Sequence, residues 1–252
     1  MRQISKAPAL LIASLALALT ACVTQPARNP LATFVKSPNY NQRNAQYIVV
    51  HYTEQGSVKE SLDTLSDPHA AHPVSAHYLL GKDGRIYQLV PDQLRAWQAG
   101  SGQWAGVTDL NDASIGIEID NNGSEPFTDA QIDSLLKLLG DLTTRLHIPK
   151  SHVIGHQDLA PTRKTDPGPQ FPWKRLADAG YGQWPQGELV DPPAGFDGWI
   201  AMRLVGYDIR DKAAALRAFR MHYRGRDDGK DLAPEFQPED LRILYALSKS
   251  GG

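Results

Sequence analysis

Three residues of this 252-residue chain have the types and settings of metal ligands. His51 closes the run YIVVHYT (47–53), His156 sits in VIGHQD (153–158), and Asp166 follows ten residues later in a proline-stiffened loop. A catalytic zinc site takes three N, O or S ligands and leaves one position for water. Two imidazoles and one carboxylate suit zinc in softness and number. The only cysteine is Cys22, near the N-terminus, so His, Asp and Glu are the available ligand types. Spacing alone leaves the matter open. A His at a strand end is often structural, and an Asp before a Pro is often a turn residue.

The segment holding two of the three is unusual in itself. GHQDLAPTRKTDPGPQFPW (155–173) packs one His, two Asp, one Arg, one Lys and four Pro into nineteen residues. Pro161, Pro167 and Pro169 restrict the backbone of a loop that must hold polar groups in place without a helix beneath it. A further carboxylate stands in SIGIEID (114–120). Side chains alternate along a strand, so Ile115, Ile117 and Ile119 share one face and Gly116, Glu118 and Asp120 point the other way.

These residues need a scaffold, and the patterning supplies one. YIVVHYT reads as a buried strand. HYLLGKDGRIYQLV (77–90) reads as a hairpin around Lys82-Asp83-Gly84. A helix follows SIGIEID: Thr128 and Gln131 form a capping box, and Ile132, Leu135, Leu136, Leu139, Leu142 and Leu146 recur at helical spacing, with Pro149 as the stop. The expected class is α/β, a mixed central sheet flanked by helices, with a small C-terminal three-helix domain. Leu216, Phe219 and Tyr223 mark one amphipathic helix of that domain, and Leu241, Leu244 and Leu247 mark another. About fifty residues is small for an independent core but feasible.

The expected organisation has five parts. Residues 1–21 read as a signal peptide, with Arg2 and Lys6 ahead of an apolar run too short to span a bilayer. The end of that run, Leu19-Thr20-Ala21-Cys22, resembles the bacterial lipoprotein box, which implies acylation of Cys22. Val23 rather than Asp after the cysteine implies, by the same resemblance, the outer membrane of a Gram-negative bacterium, facing the periplasm. Residues 22–39 read as a tether, 40–182 as the main domain, 183–198 as a Pro/Gly-rich linker and 199–252 as the helical domain. Formal charge is −2 for the whole chain and −4 after residue 21, with 24 basic and 28 acidic side chains. Such a balance argues against a nucleic-acid partner. A monomer is expected.

The pieces VVHYT, HYLLGKDGRIYQLV, AWQAG, SIGIEID and VIGHQDLAPTRKTDPGPQFPW occur in the order seen in the zinc-dependent N-acetylmuramoyl-L-alanine amidases of the AmiD/AmpD type. That family is related to phage lysozyme-amidases and to peptidoglycan recognition proteins. The resemblance covers roughly residues 40–182. It implies one zinc ion per chain on His51, His156 and Asp166, Glu118 as general base, and Lys164 facing the reacting carbonyl. It further implies cleavage of the amide between N-acetylmuramic acid and L-alanine in peptidoglycan or its fragments. The C-terminal helices resemble a peptidoglycan-binding domain. One departure is visible: the family often has AWHAG where this chain has Gln98, which puts substrate contacts in question more than catalysis.

Other polar residues have weaker claims. His69, His72 and His77 cluster in sequence but read as solvated or structural. His152 lies four before His156, yet the residues between look like strand. Trp97 and Arg163 are candidate substrate contacts; for Trp97 and Trp104, core packing is an equal alternative. Two competing functions remain: a non-catalytic peptidoglycan receptor, as in relatives that lack a metal ligand, and a cytoplasmic recycling amidase limited to anhydro-muropeptides. The full set of ligand types argues against the first, and the signal peptide and Cys22 argue against the second.

Overall fold

β-branched runs too apolar for the surface form the middle of a six-stranded sheet. The computed structural model describes residues 28–42 and 45–250; residues 1–21 and Cys22 lie outside them. The strands are β1 (Thr33–Phe34), β2 (Tyr40–Gln42), β3 (Tyr47–Tyr52), β4 (Tyr78–Leu80), β5 (Ile86–Gln88), β6 (Leu94–Ala96), β7 (Ser114–Ile119) and β8 (Val153–Gly155). The helices are α1 (Val58–Ser66), α2 (Leu110–Ala113), α3 (Asp129–Arg145), α4 (His156–Leu159), α5 (Trp173–Asp178), α6 (Gly198–Val205), α7 (Lys212–Arg224) and α8 (Pro238–Ser250). The main sheet runs β1-β5-β4-β7-β3-β8, while β2 and β6 form a separate antiparallel pair. Only β4–β5, the expected hairpin, is antiparallel within the main sheet. The class is therefore the mixed α/β architecture expected.

Alternation divides the sheet into two faces. Ile48 and Val50 of β3 join Ile115, Ile117 and Ile119 of β7 against Ile132, Leu135, Leu139 and Leu142 of α3. The capping box is present: Thr128 Oγ1 accepts from Gln131 N at 3.1 Å, and Gln131 Oε1 accepts from Thr128 N at 3.0 Å. Two details differ from expectation. Leu138 is in the core, whereas Leu136 is only half-buried. The helix ends at Arg145, where His147 turns left-handed at φ 56°, two residues before Pro149 could stop it.

The opposite face carries Val49, and so also His51, and is covered by the C-terminal helices. Val49, Trp104 and Leu159 share one core with Met202, Leu216, Phe219 and Leu244. Trp104 packs edge-on to Tyr207 at 4.9 Å, which makes it a core residue and not part of a groove. Buried polar contacts reinforce the junction. Asp158 accepts from Tyr207 Oη at 2.8 Å and pairs with His222 Nδ1 at 2.7 Å, and His222 stacks on Trp173 at 3.9 Å. The boundary drawn near residue 183 separates kinds of secondary structure, but one core runs across it.

This bears on truncation. A fully buried Leu, Phe or Met contributes roughly 2 kcal/mol, and domain stabilities are only about 5–15 kcal/mol. Removing four such side chains, and the partners of Asp158, should leave residues 22–182 unable to fold cooperatively. The expected result is loss of near-UV circular dichroism and aggregation. A soluble fragment melting within a few degrees of the full chain would show a separable core.

The N-terminal segment also differs from expectation. Residues 29–39 read as tether in the sequence, but Asn29 is buried. Its N–H donates to Gln88 Oε1 at 2.9 Å and its Nδ2 donates to Asp141 Oδ2 at 2.7 Å. β1 then pairs with β5. The polar composition that suggested a linker reflects side chains satisfied within the fold.

Candidate active site

Parallel strand pairing brings the first three groups together. His51 on β3 lies opposite Glu118 on β7, and Val50 lies opposite Gly155 on β8, so His156 begins α4 just past the strand end. All three sit at the carboxyl ends of adjacent parallel strands, the usual position for sites in open α/β sheets.

Asp166 arrives on the proline loop, which backbone hydrogen bonds hold at both ends. Ala160 O accepts from Arg163 N and Lys164 N, each at 2.9 Å, and Asp166 O accepts from Gln157 N at 2.7 Å. Gly168 N donates to Gln157 Oε1 at 3.0 Å. Gly155 is needed here, because a Cβ would come within 2.9 Å of Pro167 Cδ. The rigidity anticipated for this stretch serves to place one carboxylate.

His51 Nδ1 and His156 Nδ1 are 2.9 Å apart, and each lies 3.0 Å from Asp166 Oδ2. The far nitrogens define the tautomers. His156 Nε2 faces Ala99 O at 2.9 Å, and a carbonyl can only accept. His51 Nε2 faces Gln98 Oε1 at 2.6 Å. Both Nε2 atoms therefore carry the proton, and both neutral imidazoles turn an Nδ1 lone pair toward a carboxylate oxygen. Three buried acceptors within about 3 Å of one another need a cation between them. These are the residues among those described whose ligand atoms converge in this way.

Burial and neighbouring charges shift the titration of the cluster. Burial lowers His156 to about 4. Burial also opposes charge on His51, but Glu118, Asp166 and Gln98 together outweigh it and raise its pKa. Burial would push Asp166 up, yet His156 and His51 hold it well below the usual carboxylate range.

Glu118 is not one of the converging ligands. Its Oε2 is sealed from solvent without a hydrogen-bond partner. Burial pushes its pKa up to about 7, with Asp166 adding to the rise and His51 and Lys164 opposing it. The groups open into a cleft of about 450 Å³ whose walls include Trp97, Lys164, Arg217 and Lys230. Arg163 also borders it, but its Nη2 donates to Ala99 O and Ser101 O at 2.7 and 2.6 Å, so it braces the loop behind His156.

Two sets of residues were not picked out from the sequence. Arg217 and Lys230 come from the C-terminal helical segment, where nothing in the local pattern points to a cleft on another part of the chain. In the sequence Gln98 stands out only as a departure from a pattern, although it contacts His51 directly. Of the secondary candidates, His77 is structural: its Nδ1 accepts from Gly116 N and its Nε2 donates to Leu94 O, both at 2.9 Å. His152 stacks on Tyr47 at 4.6 Å and is separated from His156 by β8.

Residues 41–169 match the N-acetylmuramoyl-L-alanine amidase family. The chain is 40% identical over 210 residues to the N-acetylmuramoyl-L-alanine amidase AmiD of Escherichia coli K12, covering 70% of this chain and 74% of that protein. Its fold is similar to that of E. coli AmiD in complex with the substrate anhydro-N-acetylmuramic acid-L-Ala-D-γ-Glu-L-Lys, with TM-score 0.70 and 36% identity over 82% of this chain and 89% of that one. AmpDh3 of Pseudomonas aeruginosa in complex with anhydromuramic pentapeptide gives TM-score 0.69 and 31% identity, over 89% of this chain and 98% of that one. The chain belongs to the N-acetylmuramoyl-L-alanine amidase family and is an enzyme of that class.

Proposed function

We propose that the protein hydrolyses the amide between N-acetylmuramic acid and L-alanine in peptidoglycan fragments, using one zinc ion held by His51, His156 and Asp166. The observation that carries this reading is the convergence of two Nδ1 lone pairs and one carboxylate oxygen at 2.9–3.0 Å. Ligand atoms of a tetrahedral zinc site with bonds of about 2.0–2.1 Å are separated by roughly 3.3 Å, close to this triangle. The set would be His₂Asp with no thiolate, and all three residues line the cleft. When bound, zinc lowers the pKa of water and polarises a carbonyl.

The chain's own groups divide the remaining work. Glu118, raised toward neutrality and facing the cleft, takes a proton from the attacking water and returns it to the leaving amine of L-alanine. Lys164 supplies positive charge where the carbonyl oxygen becomes negative. Trp97 offers an apolar wall for the sugar-peptide. Substrate-bound relatives of the same fold hold anhydromuramyl peptides, which supports a soluble muropeptide as one substrate. Arg217 and Lys230 give the C-terminal helices a place beside the substrate, consistent with a peptidoglycan-binding role for that segment.

The proposed enzyme is a monomeric lipoprotein of the outer membrane, held by acylated Cys22 and facing the periplasm. No helix among the described residues is long and apolar enough to cross a membrane. Cys22→Ala should move the protein from membrane to soluble fractions with little change in turnover of soluble substrate. Sedimentation of the variant with outer membranes would reveal another anchor. The activity is tested by product analysis. Free L-Ala-containing stem peptide and intact anhydro-muramic acid should appear, and a chelator should stop their formation. Cleavage at any other bond would overturn the proposal.

A further inference from the structure

We infer that Gln98 is a positioning residue for the metal: it presents His51 Nδ1 to the cation, and with Ala99 it orients both histidine ligands from one dipeptide. The inference rests on the zinc site proposed above. Gln98 Oε1 lies 2.6 Å from His51 Nε2, and the carbonyl of the next residue lies 2.9 Å from His156 Nε2. An N–H donated outward on each ring leaves the opposite nitrogen as the lone pair facing the site.

The orientation of the Gln98 amide follows from its other contacts. Its Nε2 is 2.8 Å from Ser114 Oγ, and that hydroxyl donates to Leu110 O. Ser114 therefore accepts from Gln98, so the nitrogen of the amide points to Ser114 and the oxygen to His51. The space for this arrangement is made by Gly116 on β7, where a Cβ would come within 2.4 Å of Gln98 Cγ. The backbone is fixed as well. Asn111 Oδ1 accepts from Gln98 N at 2.8 Å and from Ala99 N at 2.7 Å. One side chain on α2 thus clips the step that supplies both outer acceptors.

Gln98 lies behind His51, away from the convergent Nδ1 atoms. The departure from the family's AWHAG pattern consequently falls on metal support, at a residue that also lines the cleft. An amide also offers the same acceptor at every pH, which an imidazole at that position would do in one tautomer only.

A packing role and a positioning role predict opposite orders for two substitutions. Gln98→Leu keeps about the same bulk over Gly116 but removes the acceptor. Gln98→Glu keeps an acceptor for His51 Nε2, and the Ser114 hydroxyl can rotate to donate to it. Zinc affinity of the purified full chain is measured by competition with a fluorescent chelator, with melting of each metal-free protein as the check on folding. Positioning predicts a 10- to 100-fold loss of affinity for Gln98→Leu and a change under threefold for Gln98→Glu. Ser114→Ala, which frees the amide to turn without touching His51, should give a smaller loss in the same direction and covers the case in which Gln98→Leu does not fold. Wild-type affinity in Gln98→Leu or in Ser114→Ala, or a greater loss in Gln98→Glu than in Gln98→Leu, would overturn the inference. Absence of stoichiometric zinc from the wild type would instead remove the metal site itself, and it is read before any variant is made.

Discussion

Asp166→Ala should yield a folded protein that retains little or no zinc and has activity at background. The backbone of the loop does not depend on this carboxylate, because Gln157 N binds the carbonyl of Asp166 and Gly168 N binds the Gln157 side chain. The site does depend on it: Oδ2 is the only negative ligand atom, 3.0 Å from both imidazoles. Two neutral nitrogens alone cannot match the proposed cation's charge in a buried setting. Metal analysis after gel filtration against wild type, with one zinc per chain expected for the latter, decides the point. Full occupancy in the variant would remove Asp166 from the ligand set. Metal binding in the wild type should also weaken on acidification, since protons compete with the metal for the same two imidazole nitrogens and carboxylate oxygen.

Glu118→Gln should separate metal binding from turnover. Glu118 stands outside the ligand triangle, so zinc content should be normal while turnover falls by about 100-fold or more, the usual contribution of a positioned base. The same change should alter stability in a direction that a catalytic defect alone would not produce. Burial raises the folded pKa from 4.5 to about 7, so the folded state holds a proton that the unfolded state has already lost. Stability of the metal-free protein therefore falls as pH rises from about 4.5 to 7 and stays lowered above that. Glutamine does not titrate. The metal-free variant should melt several degrees above metal-free wild type at pH 8 and close to it at pH 4. The acidic limb of the rate profile should disappear with the carboxylate. Loss of zinc from the variant would make Glu118 a ligand, and equal melting at both pH values would show that its burial carries no cost.

The strands, the hairpin and the capped helix were legible because each has a local cause. Ile115, Ile117 and Ile119 announce a face, and Thr128 with Gln131 announces a helix start. The ligand triangle was legible only through family resemblance, since nothing in the interval between His51 and His156 records that β3 and β8 are neighbours. What covers a face is a different kind of information. Leu216 and Phe219 show that their helix has an apolar side but not that Val49 and Trp104 lie against it. Asn29 reads as linker because its partners, Gln88 and Asp141, are far along the chain. Gln98 was visible as a departure from a pattern, but its role needed the positions of Ser114, Asn111 and His51 together.

On the proposed acyl anchor, the docking of Asn29 would set the working height of the enzyme. If the free chain ran from Cys22 to residue 39, a fully extended tether could reach about 60 Å; with the fold beginning at Asn29, that limit falls to about 25 Å. The start of the fold would then be held within that distance of the lipid. The enzyme would meet substrate by sliding in two dimensions beneath the wall, not by ranging through the periplasm. Fragments crossing the membrane surface, and glycan strands that dip toward it, are then the molecules within its range. Distance from the bilayer would then become a selector of substrate, independent of anything the cleft recognises.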